Sequence, residues 1–124
     1  MVEAENAIRA KFVAGIEAWN RGDINAYLAG YWPSEKTRWV SGATIIRGSD
    51  NIASAYRTRF ATPETMGTLQ LENLEIDLLT SSDALIFGKL IHSLDAKARD
   101  VFFTVHIRKI ENDWLIISDH ASTG

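Results

Sequence analysis

Apolar positions recur every three or four residues early in the chain and every second residue in its latter half. Ile8, Phe12, Ile16 and Trp19 share one face of a helix over residues 3–20. Asn20-Arg21-Gly22 predicts its end, with Gly22 supplying left-handed backbone. Asp23 then caps a short second helix to about Ala29, which Gly30-Tyr31-Trp32-Pro33 breaks. Thr37–Ser41 and Ala43–Arg47 predict a hairpin around Gly42. Gly48-Ser49-Asp50 opens a third helix with Ile52, Ala55, Tyr56 and Phe60 on one face, and Thr62-Pro63-Glu64 ends it. Four long strands follow at about 67–80, 83–94, 100–110 and 114–122, joined by short connections that make an antiparallel meander. In the first, Leu69 and Leu71 have one parity and Leu74, Ile76 and Leu78 the other, so a β-bulge and a bend are expected near Glu72-Asn73. Helices first and strands later predict an α+β fold: a curved antiparallel sheet of about six strands wrapped around N-terminal helices, a cone with an internal pocket.

Parity also assigns faces. Val101, Phe103, Val105 and Ile107 form an unbroken apolar face that belongs under the helices. Ile86, Gly88, Leu90 and His92 share it on the preceding strand, and Leu115, Ile117 and Asp119 on the last. The short connections place Asp119 beside Val105 and Val105 beside Gly88. Asp119 and His120 adjoin in sequence but point to opposite faces, so they do not form a dyad unless a bulge intervenes. The outer face keeps Leu85, Phe87, Ile91, Phe102, Trp114 and Ile116, too much apolar surface for a small monomer. The expectation is a homodimer through that face, with Phe87, Phe102, His106, Trp114 and His120 in or beside the interface.

The chain has 124 residues and no linker-like run, which predicts a single domain over 1–124. Thirteen basic and sixteen acidic residues give a net charge of −3, with no basic cluster, so no nucleic-acid partner is expected. There is no cysteine, which excludes disulfides, thiol catalysis and Cys-ligated zinc. The start carries acids where a signal peptide carries bases, and no run approaches the roughly 20 apolar residues of a membrane helix. The expectation is a cytoplasmic protein with no membrane partner.

The stretches AWNRGDINAYLAGYW (18–32), RWVSGATIIRG (38–48), MGTLQLENLEIDLL (66–79) and FTVHIRKIENDWLIISDHAS (103–122) together resemble the SnoaL-like, nuclear transport factor 2-like superfamily. The resemblance is greatest to its small stand-alone, ketosteroid-isomerase-like members of unknown function. It implies a cystatin-like α+β cone, usually dimeric, with a pocket inside. Trp114, Ile116, Asp119, His120 and Ser122 match a common terminal pattern of relatives, while Ser118 and Ala121 depart from it. The association domain of calcium/calmodulin-dependent kinase ends similarly, but its pocket arginine falls on Ala121. Carried over from Gly22-Asp23, the three catalytic positions of ketosteroid isomerase fall on about Gly15, Trp39 and Val105, none of which can act as that chemistry requires. Steroid isomerisation is therefore not expected.

Asp119 is the leading candidate for chemistry. An acid on an aliphatic inner strand is desolvated, which raises its pKa toward the range of a general acid or base. The alternative is pairing with an arginine or with backbone amides. His92 is the second candidate, too far along the sheet to touch Asp119, and a hydrogen-bonded core histidine is its other reading. Tyr31, Trp39, Tyr56, Leu90, Phe103, Val105 and Ile117 are expected to line the pocket, for a small apolar or aromatic ligand. Arg38, Arg47, Arg57 and Arg59 read as solvated or paired, and any one of them at the mouth would favour an anion. No metal-ligand spacing is present, and no metal or cofactor is expected. Two functions stay open: a cofactor-free acid/base enzyme of isomerase, cyclase or hydrolase type acting through Asp119, and a non-catalytic ligand-binding or oligomerisation module.

Overall fold

The computed structural model describes residues 2–123. Its elements are α1 (Val2–Asn20), α2 (Ile24–Leu28), β1 (Arg38–Ser41), β2 (Thr44–Arg47), α3 (Ser49–Arg59), α4 (Pro63–Met66), β3 (Thr68–Leu78), β4 (Asp83–Leu94), β5 (Lys97–Ile110) and β6 (Asp113–Thr123). The strands form one curved sheet in the order β2-β1-β6-β5-β4-β3, and the fold is α+β with the helices on the concave face. All neighbours are antiparallel except β1 and β6, which run parallel, so the sheet is mixed.

The helix ends follow from local chemistry. The Asp23 carboxylate accepts from the Ala26 amide and starts α2. Thr62-Pro63-Glu64 does more than end α3. Thr62 and Thr65 form a reciprocal capping box with Pro63 in the first turn, which adds the short α4. Asn20, at the end of α1, donates to the Leu69 carbonyl at 2.9 Å and accepts from the Leu69 amide at 2.7 Å, fixing the helix to β3.

Ile8 is fully buried, and beneath it Ala84, Ile86, Phe103, Val105, Ile107 and Trp114 form the core cluster. Phe12 stacks on Phe103 with ring centroids 5.8 Å apart. Trp19 meets Tyr27, Tyr56 and Phe60 edge-on. Fully buried apolar side chains such as Ile8, Ile86 and Ile107 each stabilise the fold by about 1.5–3 kcal/mol. No helix among the described residues is long and apolar enough to cross a membrane.

Two bulges bend the sheet. The first lies between Leu71 and Asn73, where Glu72 is the extra residue. The second is in β6: His106 pairs with Ser118 but Ile107 pairs with Ile116, so Ile117 is the extra residue. It reverses the parity read from the sequence for the start of this strand. Trp114 is not an outer interface residue but lies in the core at 5% exposure. Ile116, not Ile117, takes the inner position and lines the cavity. A further correction concerns β4 and β5. Residues 95–99 are not a loop: Asp95 and Ala96 form a two-residue turn, with φ of 52° and 64°. The ladder therefore starts at Lys97, and Val105 faces Ile86 while Gly88 faces Phe103.

Candidate functional site

Asp119 sits mid-sheet, paired with Val105 on β5 and with Trp39 on β1. This register turns its carboxyl inward and His120 outward. Tyr31 is brought to it by backbone rather than by a helix. The Trp32 amide donates to the Ile116 carbonyl, and the Ile116 amide to the Gly30 carbonyl, each at 2.9 Å. The bridge between Tyr31 and Ile116 holds the tyrosine against β6 three residues before Asp119. Its hydroxyl donates to Asp119 Oδ2 at 2.5 Å.

Behind Tyr31 the chain of polar groups continues. The Trp39 indole N–H donates to the Tyr56 hydroxyl at 3.2 Å, and the two tyrosine oxygens lie 3.5 Å apart. With Asp119 ionised and the Tyr31 proton committed to it, a bond across the 3.5 Å between the two tyrosines has Tyr56 as its donor. The order is Trp39 to Tyr56 to Tyr31 to Asp119, with every donor aimed toward the carboxyl. Burial pushes the Tyr31, Tyr27 and Tyr56 hydroxyls above the ordinary phenol range, so they stay neutral.

Asp119 is 8% exposed and belongs to no ion pair among the described residues. Desolvation raises its pKa from 3.8 to about 6, opposed by the Tyr31 hydrogen bond and by nearby His120. Tyr31→Phe removes the first opposing effect. It is expected to move the Asp119 titration higher still, checked by carboxyl-carbon NMR against pH, and an unmoved or lowered pKa would contradict this account. No hydrogen bond to Asp119 Oδ1 is made among the described residues, and the residue borders the cavity.

That cavity has a volume of about 430 Å³, within the range of small-molecule sites. Tyr31, Trp39, Tyr56, Leu90, Phe103, Val105, His92 and Asp119 all line it. His92 lies elsewhere on its wall, committed to structure: its Nε2 is 2.7 Å from the Met66 carbonyl, which also accepts from Trp19 Nε1 at 3.1 Å. Sequence reasoning missed Tyr27 and Ile116 on the wall and Arg99 at its rim. It also missed Tyr31 as the partner of Asp119, although the spacing of Tyr27 and Tyr31 already put two phenols one turn apart. Among the described residues, no group of three or more His, Asp or Glu side chains is arranged to hold a metal ion.

On the outer face, Phe87 and Phe102 are 44% and 41% exposed, and His120 is exposed beside them. His106 is half-buried, with Nε2 2.8 Å from Asp83 Oδ1, which also accepts from Arg108 Nε at 2.8 Å.

Comparison with known proteins bears on this architecture. A crystal structure of an NTF-2 like protein of unknown function from Shewanella oneidensis is 30% identical, with a TM-score of 0.92 over 96% of this chain and 98% of that one. A domain of unknown function with a cystatin-like fold from Nostoc punctiforme is 24% identical, with a TM-score of 0.81 over 98% of this chain and 78% of that one. An NTF2-like protein of unknown function from Pseudomonas putida is 18% identical, with a TM-score of 0.83 over 98% and 87% of the two chains. The last two likenesses concern the fold alone. No curated protein matches the chain. The family described as SnoaL-like domain matches residues 8–124, which takes in every element from the middle of α1 through the Asp119 strand. With nearly the whole chain so matched, this protein belongs to the SnoaL-like domain family.

Proposed function

We propose that the protein is a cofactor-free acid/base enzyme acting on a small apolar or aromatic molecule held in the cone, with Asp119 as the group that moves the proton. One observation carries this reading: a buried carboxyl with a pKa of about 6, among the described residues bonded only to a neutral phenol, on the wall of a largely apolar cavity of about 430 Å³. Near neutral pH such a group is available in both protonation states, as a general acid or base requires. Tyr31 holds the carboxyl through Oδ2 and leaves Oδ1 for the substrate. The Tyr56 hydroxyl, itself held by the Trp39 indole, lies behind Tyr31, and the surrounding rings make the wall largely apolar.

Solvent-deuterium exchange tests this without a known substrate. Aromatic and cyclic ketones of cavity size are incubated with the protein in D2O, and NMR follows deuterium entering the position next to the carbonyl. Wild type is expected to accelerate exchange for at least one compound, and Asp119→Asn to lose that acceleration while still binding it. Tight binding with no exchange by either protein would overturn catalysis and leave a ligand-binding module.

The same reading includes a homodimer through the outer face. Phe87, Phe102 and Leu85 present exposed apolar surface there, and Phe87 lies opposite Glu75. Light scattering at micromolar concentration is expected to give twice the chain mass of 13.8 kDa. Phe87→Glu, which places a second acid beside Glu75, is expected to weaken association by at least about tenfold. A monomeric wild type would refute the dimer.

A further inference from the structure

We infer that the ligand is an organic acid, with its apolar body in the cone and its carboxylate held at the mouth by Arg59 and Arg99. This rests on the reading of the cone as a ligand site and names the class of molecule it takes. Arg59 and Arg99 border both the cone and an adjoining cleft of about 420 Å³, so they stand where the two meet. Arg99 is the direct cross-strand partner of His92, whose ring is fixed by Met66. The Arg59 guanidinium lies 5.1 Å from the centre of the Phe60 ring.

Among the described residues, neither arginine is in an ion pair. The other cation on the cone wall, Lys11, is tied to Asp113 at 2.7 Å. Glu64 and Asp95 border the cleft but not the cone, whose only acid among the described residues is Asp119. Two guanidinium groups outside any ion pair among the described residues, beside an apolar cavity, suit a carboxylate, which accepts charge-assisted bonds from the fork of each.

The positions of the two ends set a length. Asp119 pairs with Val105, and Arg99 lies six residues along the same strand on the same face. That is about 20 Å of extended chain, of which an arginine side chain turned toward Asp119 would cover part. The space between suits a molecule on the order of 12 Å long. A ligand anchored by its acid at the mouth therefore presents its far end to Asp119.

Isothermal titration calorimetry with ω-phenylhexanoate and its neutral amide, ω-phenylhexanamide, tests the inference. Wild type is expected to bind the acid at least about tenfold more tightly than the amide. In the Arg59→Gln, Arg99→Gln double variant, the acid's affinity is expected to fall to that of the amide. Both substitutions are at exposed positions, and circular dichroism checks that the fold is kept. Equal affinities in wild type would overturn the anionic anchor while leaving the cone as a binding site. A preference for the acid that survives in the double variant would assign it to another cation and overturn the role of these arginines. Binding of neither compound would overturn the anchor together with the small-molecule reading beneath it.

Discussion

Asp119→Asn is expected to cut catalysed proton exchange by at least about 100-fold and to make the fold more stable at pH 8 by about 3 kcal/mol. Both effects come from one side chain in one place. Asparagine keeps an acceptor for the Tyr31 hydroxyl and nearly the same volume, so the packing survives, but it cannot take up or deliver a proton. The gain in stability follows from the direction of the pKa change. Folding raises the carboxyl from 3.8 to about 6, which means that the folded state favours the protonated form. That favourable contribution is complete below about pH 4 and is lost as pH rises through about 6, where ionisation puts an unpaired charge in a buried site. Melting curves of the two proteins are therefore expected to coincide near pH 4, to diverge between about 4 and 6, and to differ by roughly 10 °C above that. Other groups titrate over the same range. Asp83, for instance, is held low by Arg108 and His106, which stabilises the fold above its ordinary pKa and is lost toward acid. Such effects are common to both proteins and cancel in the comparison. A variant less stable than wild type at pH 8 would mean that the ionised carboxylate supports the fold, and would remove the basis of the proposed chemistry.

Gly88→Ala is the second large effect, an expected loss of about 2–4 kcal/mol. Gly88 lies on the inner face of β4, opposite Leu74 and Phe103, just beyond the bulge at Glu72. A methyl group there would lie 2.4 Å from the Phe103 ring and 2.6 Å from the Asn73 carbonyl oxygen. The backbone at Gly88 is not in the left-handed region, so glycine is needed for space rather than for conformation. The Asn73 oxygen belongs to the ladder and cannot step aside. The ring is itself stacked on Phe12, so making room for the methyl group disturbs that contact. Urea denaturation measures the loss, and a variant within about 0.5 kcal/mol of wild type would show that the sheet does not need this close approach.

The contrast between the two bulges explains what the sequence could disclose. At Glu72 the apolar parity changes within a strand that also contains polar residues, so the extra residue is visible. At Ile117 the run Trp114-Leu115-Ile116-Ile117 is apolar throughout, and either face can claim any of its members. The choice is made by packing against Ile8 and the core, which seats Trp114 inside. The turn at Asp95-Ala96 was hidden for a similar reason. Positive φ at two successive positions normally advertises itself with glycine or asparagine, and neither is present. The expected strand consequently starts at residue 100, one short of Arg99, which the structure pairs with His92 on the inner face. Asp119 was legible because one acid interrupts an aliphatic face. Its bond to Tyr31 was not, because it depends on a backbone bridge between Tyr31 and Ile116, 85 positions apart.

The pair of hydrogen bonds between Asn20 and Leu69 has a consequence for solubility. β3 is an edge of the sheet, and an edge offers unpaired amides and carbonyls to any passing strand, the usual route to polymerisation. The Asn20 side chain has the same donor and acceptor arrangement as a peptide group. By bonding both the amide and the carbonyl of Leu69, it occupies that edge much as one residue of a seventh strand would. Further along the same strand, Glu75 and Asp77 put exposed charge on the edge, which discourages the addition of another strand. A helix end and two acids thus guard the β3 edge of a sheet whose other edge is β2.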